Sequence, residues 1–208
     1  MEIEKRSAEG QGFEVRMSDK DKREIEGYGI VFNKKYKIWG RTYEMIDPAA
    51  GYYFKNKNLD VLSCFNHDMS KVLGRTLSQT MRFEVDKKGV KYIVKVAETT
   101  YGDDLLKSVE RGDIRGSSFM FRAKVTEWTD TEDEYLRTIK EFDTVREMGP
   151  VTDPAYTDTT VAKRSFDSYT NERDELQQER DEQKNKAVKA RNKRASKLRS
   201  AQLYLNQL

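Results

Sequence analysis

At 208 residues with 36% hydrophobic and 11% aromatic side chains, the chain can bury one core of ordinary size, which excludes a second independent core. Charged residues also make up 36% against a net charge of only +3, so part of the sequence must be solvated rather than packed. One cysteine, Cys64, and one histidine, His67, exclude an intramolecular disulfide and a soft-ligand zinc site; with no apolar run of membrane length and no signal-like N-terminus, the sequence reads as intracellular, metal-free and without a cofactor or a membrane span.

Residues 1–12 are polar and are expected to be mobile. Phe13–Met17 alternates apolar and charged residues, Ser18–Arg23 reads as a charged turn, and Ile25–Phe32 resumes as a strand in which Gly27 and Gly29 permit a bulge or a close backbone approach. Tyr43–Ile46 is a short strand stopped by Pro48, and the aromatic, basic stretch Ala49–Asn58 suits a short helix or a substrate-facing loop. Val61–Phe65 reads as a buried strand that delivers Asn66, His67 and Asp68 at its end, where functional residues collect. Leu73–Leu77, Met81–Val85 and Val90–Val96 continue the β pattern, with Asp86–Gly89 closing a hairpin between the last two.

One clear helix is predicted over Thr100–Arg111. Thr99 or Thr100 can cap it, Asp103 and Asp104 suit its positive end, Leu105, Leu106 and Val109 form the apolar stripe, and Arg111 and Gly112 mark its end. The small-residue turn carrying Ser117 and Ser118 then leads into an alternating strand. On that strand Ser118, Met120 and Arg122 share one face and Ser117, Phe119, Phe121 and Ala123 the other. If the phenylalanine face is buried in the core, Ser118 points the opposite way. An isolated serine needs a neighbouring base to act as a nucleophile, and His67 is the only imidazole in the sequence. Asp130–Glu134 is an acidic turn, Tyr135–Phe142 a further strand pair and Thr144–Val151 a last strand region ended by Pro150 and Pro154.

From Ala162 onward the sequence has neither glycine nor proline and favours helix. Its charge is segregated: residues 163–182 hold four basic and seven acidic side chains, and residues 183–208 hold eight basic and none acidic. Apolar positions are too sparse for a sustained heptad, so a partly helical extension is expected rather than a stable coiled coil.

The segments FNHDMSKVLGRT, GDIRGSSFMF and REMGPVTDPAYTDT, in that order and spacing and with EGYGIVFN and YEMIDPAAGYYF upstream, resemble the prohead proteases of tailed bacteriophages, over roughly Gly27–Val161. These are serine peptidases that mature viral procapsids, distantly similar to the assemblin proteases of herpesviruses. The resemblance implies an α+β, mainly β fold, a closed or partly closed antiparallel β-barrel with flanking helices, in a catalytic domain over residues 1–161. Residues 162–208 would then be a charged, helical C-terminal extension, scaffold-like or a propeptide. It implies Ser118 as nucleophile, with Ser117 the runner-up, and His67 as general base. Assemblins orient the base with a second histidine, which this sequence lacks, and Glu147 matches the family's acidic position, with Asp68 and Asp153 less well placed. Backbone amides near Ser118, or Arg115, are candidate oxyanion donors.

The implied partners are the major capsid protein and a scaffold protein or scaffold domain, inside the procapsid in the host cytoplasm, with a homo-oligomer possible. Self-cleavage is expected in or before Ala162–Tyr169, and nucleic acid would be bound only through the basic tail around Lys184–Arg199. The opposing expectation is a non-catalytic scaffold or assembly factor that works through that tail.

Overall fold

The computed structural model describes residues 3–7, 14–19, 23–153 and 165–186. The chain divides into two compact units, Met1–Ala162 and Lys163–Leu208. In the second, residues 165–186 form a helix whose side chains are mostly exposed, as the density of charge there dictates. The segment 162–164 and the basic stretch from residue 187 lie outside the described residues, and with them much of the expected cleavage region and nucleic-acid arm.

The first unit is mainly β. Its strands, in chain order, are β1 (Glu4–Ser7), β2 (Val15–Asp19), β3 (Glu24–Val31), β4 (Tyr36–Trp39), β5 (Thr42–Ile46), β6 (Leu62–Cys64), β7 (Val72–Arg75), β8 (Met81–Val85), β9 (Gly89–Lys95), β10 (Gly116–Asp130) and β11 (Tyr135–Val151). They form two sheets. The larger runs β1-β10-β11-β5-β4, with β6 joined to β11 and β7 to β6, and the smaller runs β2-β3-β9-β8.

The expected closed or partly closed antiparallel barrel is corrected on two counts. Among the described residues neither sheet path returns on itself, and one isolated bridge, Glu14 with Gly116, is the β-pairing between the two sheets. β11 also pairs in parallel with β5 and, at Glu147 and Leu62, with β6. Alternation fixes which face of a strand is buried, not which strand lies beside it, and so carries no information about closure.

Apolar faces of both sheets meet in one core. Phe119 and Phe121 of β10 stack at 4.8 Å, and Phe142 of β11 meets them edge-on at 6.1 and 5.4 Å. Ile25, Ile30, Val90, Tyr92 and Val94 fill the side contributed by β3 and β9. β3 shifts register between Tyr28 and Ile30, so a bulge does sit at Gly29. The helix α1 spans Thr100–Arg111, as its local signals predict: the Thr99 hydroxyl accepts the Gly102 N–H at 3.2 Å, and Gly112 terminates it at φ 81°, where a side chain would be strained. Leu105 and Val109 are its buried stripe. The stretch after Pro48 is a 3-10 helix, Pro48–Lys55, capped by the Asp47 carboxylate.

Three further expectations change. Tyr135–Val151 is one continuous strand rather than two regions, and it runs through Pro150, which pairs with Ser117. Leu77 is outside β7 and exposed. The N-terminal stretch, expected to be mobile, contains β1, which lies antiparallel on β10 with Glu4 and Arg6 buried.

Burial of β1's charges depends on partners from distant strands. The Arg6 guanidinium donates to both carboxylate oxygens of Glu44, at 2.6 and 2.9 Å, and to Glu4 at 2.6 Å. Arg137 donates to Glu4 at 2.6 and 3.0 Å and to Glu44 at 2.8 Å. Two cations and two carboxylates cancel, and each has charged hydrogen-bond partners, the condition under which a buried ionic cluster is tolerated. Arg137→Ala would leave one guanidinium facing two buried carboxylates. The expected cost is about 3–5 kcal/mol of stability, measured as a lowered urea midpoint at unchanged slope; a loss comparable to that of an exposed ion pair would show that the cluster is hydrated.

Candidate active site

Ser118 sits at the start of β10, directly opposite Gly149 of β11, and Glu147 lies two residues before that glycine, opposite Met120. The hairpin therefore holds serine and carboxylate on adjacent strands. Gly149 has no room for a side chain: a Cβ there would lie 2.6 Å from the Cys64 carbonyl oxygen and 2.9 Å from a Glu147 carboxylate oxygen. That close approach lets β6 lie beside β11, where the Cys64 N–H donates to Glu147 Oε1 at 3.1 Å.

β6 delivers His67 just past its end, as expected, although the strand is shorter than Val61–Phe65 and a turn takes over at Phe65. Phe65–His67 form a single 3-10 turn in which Asn66 and His67 both take left-handed backbone angles, φ 54° and 60°. Two consecutive non-glycine residues in that region cost free energy and persist only where surroundings impose them. The imposing contact is a pair of reciprocal bonds: Asn66 Nδ2 donates to the Thr152 hydroxyl at 3.1 Å, and the Thr152 N–H donates to Asn66 Oδ1 at 2.8 Å. Thr152 follows β11, so one strand anchors both the carboxylate and the turn that carries the imidazole. Sequence reasoning missed the Asn66–Thr152 clamp; asparagine, a residue enriched at positive φ, was the available signal.

His67 Nε2 lies 2.7 Å from Ser118 Oγ, and Nδ1 lies 2.5 Å from Glu147 Oε2. With Glu147 ionised, and so able only to accept, Nδ1 would carry the hydrogen and Nε2 would be left to accept from the serine hydroxyl. Glu147 is fully buried, Ser118 is 1% exposed, and the His67 side chain keeps 17% exposure. Burial raises the Glu147 pKa, opposed by the His67 ring and the Cys64 N–H. A buried carboxylate hydrogen-bonded to imidazole orients the ring and stabilises its protonated form, and a serine on the other ring nitrogen can lose its proton to it.

The other residues weighed from the sequence lie elsewhere. Ser117 points to the opposite face, fully buried, with its hydroxyl 2.8 Å from that of Tyr92. Asp68 turns back on its own loop, accepting from the Ser70 N–H at 2.9 Å and the Ser70 hydroxyl at 2.6 Å, which together hold its pKa below the usual carboxylate value. Asp153 is exposed just past β11. Arg115 is exposed between α1 and β10, and its carbonyl accepts the Val15 N–H at 2.9 Å. Among the described residues no group of three or more histidine, cysteine or acidic side chains is arranged to hold a metal, and no helix is long and apolar enough to cross a membrane.

Cys64 lies against this site without joining it. Burial, then the charges of Glu147 and Asp68, push its thiol up to about 12. A thiol so shifted has almost no thiolate at pH 8. Ellman's reagent is therefore expected to leave the native chain unmodified and to titrate one thiol after addition of urea; rapid reaction of the native chain would contradict the burial.

Comparison with solved structures finds the capsid assembly protease gp21 of bacteriophage T4, at 16% identity and a TM-score of 0.39, covering 63% of this chain and 82% of that one. Comparison with curated proteins gives no significant match. The family model described as caudovirus prohead serine protease matches residues 11–173, a span that takes in β2 through β11 and with them Ser118, His67 and Glu147; by that match the chain belongs to the caudovirus prohead serine proteases.

Proposed function

We propose that the chain is a serine endopeptidase of phage head maturation in which Ser118 is the nucleophile, His67 the general base and acid, and Glu147 the carboxylate that orients the imidazole. The observation that carries this reading is the unbroken pair of contacts from Ser118 Oγ through His67 to Glu147, at 2.7 and 2.5 Å. Ser118 Oγ attacks the scissile carbonyl carbon as its proton passes to Nε2, and backbone N–H groups beside Ser118 are the proposed donors to the oxyanion. The imidazolium, stabilised by Glu147, returns the proton to the leaving amine, which departs and leaves an ester on Ser118. Water then adds to the ester carbonyl as its proton goes to Nε2. Collapse releases a carboxylic acid and restores the serine hydroxyl.

In this proposal the substrates are N-terminal segments of the scaffold and major capsid proteins, met inside the procapsid in the host cell, and the enzyme's own chain. Residues 1–161 are the catalytic domain and residues 162–208 an extension that docks on scaffold or is removed by self-cleavage. The test is co-expression with the capsid and scaffold proteins of the same phage, wild type beside Ser118→Ala, followed by intact mass of every chain. Truncated products that vanish with Ser118→Ala are the expected result. Equal processing by both would displace Ser118 from the reaction, and no processing by either would favour an assembly factor.

A further inference from the structure

The nucleophile of the proposed peptidase is covered by the chain's own N-terminal strand. Among the described residues β1 is an edge strand whose single neighbour is β10, and its register sets Ser7 opposite Ser118 and Arg6 opposite Phe119. The Ser118 hydroxyl, whose one hydrogen goes either to His67 Nε2 or to this strand, lies 2.9 Å from the carbonyl oxygen of Arg6. A backbone carbonyl at hydrogen-bond distance from the hydroxyl is where a residue on the amino side of a scissile bond would present itself.

The side chains of β1 are unusual for a strand that merely covers a sheet edge. Glu4 and Arg6, two apart, face the same way and are desolvated against Glu44 of β5 and Arg137 of β11. The Arg6 guanidinium also lies 5.4 Å from the centroid of the Phe121 ring. An apolar pair would cover the same surface without the desolvation penalty of two charges. If β1 leaves, one buried charge of each sign, Glu4 and Arg6, leaves with it, and Glu44 and Arg137 remain paired to each other at 2.8 Å. The receptor is thus neutral with or without its occupant, and its two charges are ordered to take an acidic side chain and, two residues later, a basic one. Removal of β1 would also uncover the N–H and C=O groups of β10, the template on which an extended peptide adds as a strand.

We propose that β1 stands in the substrate's place: a peptide binds antiparallel to β10, with a lysine or arginine side chain on Glu44, that residue's carbonyl at Ser118, and an acidic side chain two residues earlier on Arg137. Its catalytic consequence, cleavage after the basic residue, rests on the peptidase reading above; the binding mode does not. Glu44 is then the residue that sets specificity, and residues 4–7 are a resident competitor that an incoming substrate must displace.

The test uses the full chain and a labelled octapeptide with the sequence of residues 2–9, Glu-Ile-Glu-Lys-Arg-Ser-Ala-Glu, beside the same peptide with alanine for arginine. Binding is read by fluorescence anisotropy on the Ser118→Ala chain, and cleavage by mass on the wild type. The arginine peptide is expected to bind at least about tenfold more tightly than its alanine counterpart, because the alanine peptide leaves the Glu44 carboxylate without its second cation. Cleavage is expected at the Arg–Ser bond, with water supplying the new carboxylate and amine. In Arg6→Ala the tether of the resident strand is weakened, and the arginine peptide should bind about tenfold more tightly still as the competent fraction rises.

Equal binding of the two peptides overturns the proposal, and this comparison needs no substitution near Glu44, so misfolding of Arg6→Ala cannot mask it. Weaker binding to an Arg6→Ala chain that unfolds cooperatively also overturns it. Arginine-dependent binding with no cleavage of any peptide or capsid protein would sink the peptidase reading and keep the strand site; Ser118-dependent capsid processing with equal peptide binding would do the reverse.

Discussion

Ser118→Ala and His67→Ala are each expected to lower kcat by about 10⁶-fold, and the double substitution by no more than either alone. Non-additivity follows from the proposed mechanism: the hydroxyl and Nε2 are 2.7 Å apart, and the proton transfer proposed between them is one event that either substitution would remove. A His67→Ala variant has no second imidazole to fall back on, since the sequence has one histidine. Rates of Ser118-dependent processing across the four combinations decide the matter. Additive losses would mean that the two residues act in separate steps, and the relay from Ser118 to His67 would have to be abandoned.

Glu147→Gln is expected to lower kcat by about 10⁴-fold with little loss of stability. The glutamine carbonyl can keep the Cys64 N–H, which donates to Oε1 at 3.1 Å, and its amide then turns an N–H toward His67 Nδ1. Nδ1 must accept, so the ring hydrogen moves to Nε2, where it blocks the proton from Ser118. Stability should move the other way. Burial raises the folded-state pKa of Glu147 above the ordinary 4.5, so the folded chain binds more protons than the unfolded chain between those two values. Wild-type stability therefore falls relative to Glu147→Gln as pH rises through that window, and the difference is constant below 4.5. Urea unfolding of both chains from pH 4 to 8 measures it. A wild type that gains on the variant over that range would mean that the His67 contact outweighs desolvation.

What the sequence made legible were features set by neighbours along the chain. The helix from Thr100 to Arg111 carries its cap, its acidic first turn and its left-handed terminator within 14 residues, from Thr99 to Gly112, and the structure gives that span. Alternation along β10 separated Ser118 from Ser117, and the two hydroxyls do face different partners, His67 and Tyr92. Features set by distant partners were not legible. Glu4-Lys5-Arg6 reads as solvated because nothing near it announces Glu44 and Arg137, which bury it. The end of β6 was legible but the left-handed turn that follows it was not, because Asn66 is held there by Thr152, 86 residues away. Pro150 reads as a stop, yet it is tolerated inside β11. Glu147 rested on family resemblance alone, since a glutamate between arginine and methionine has no local mark of burial.

The placement of Ser118 and Glu147 on paired strands also orders events in time. Their hairpin closes through the short turn before Tyr135, so serine and carboxylate, at its open end, come into register by pairing within one stretch of chain. His67 arrives from 51 residues before Ser118 and is seated only when β6 reaches Glu147 and Asn66 reaches Thr152. Long-range closures of this kind are slow relative to hairpin formation. On the proposed mechanism, proteolytic competence then waits on the seating of His67, and a chain in which only the hairpin has formed would not yet cut.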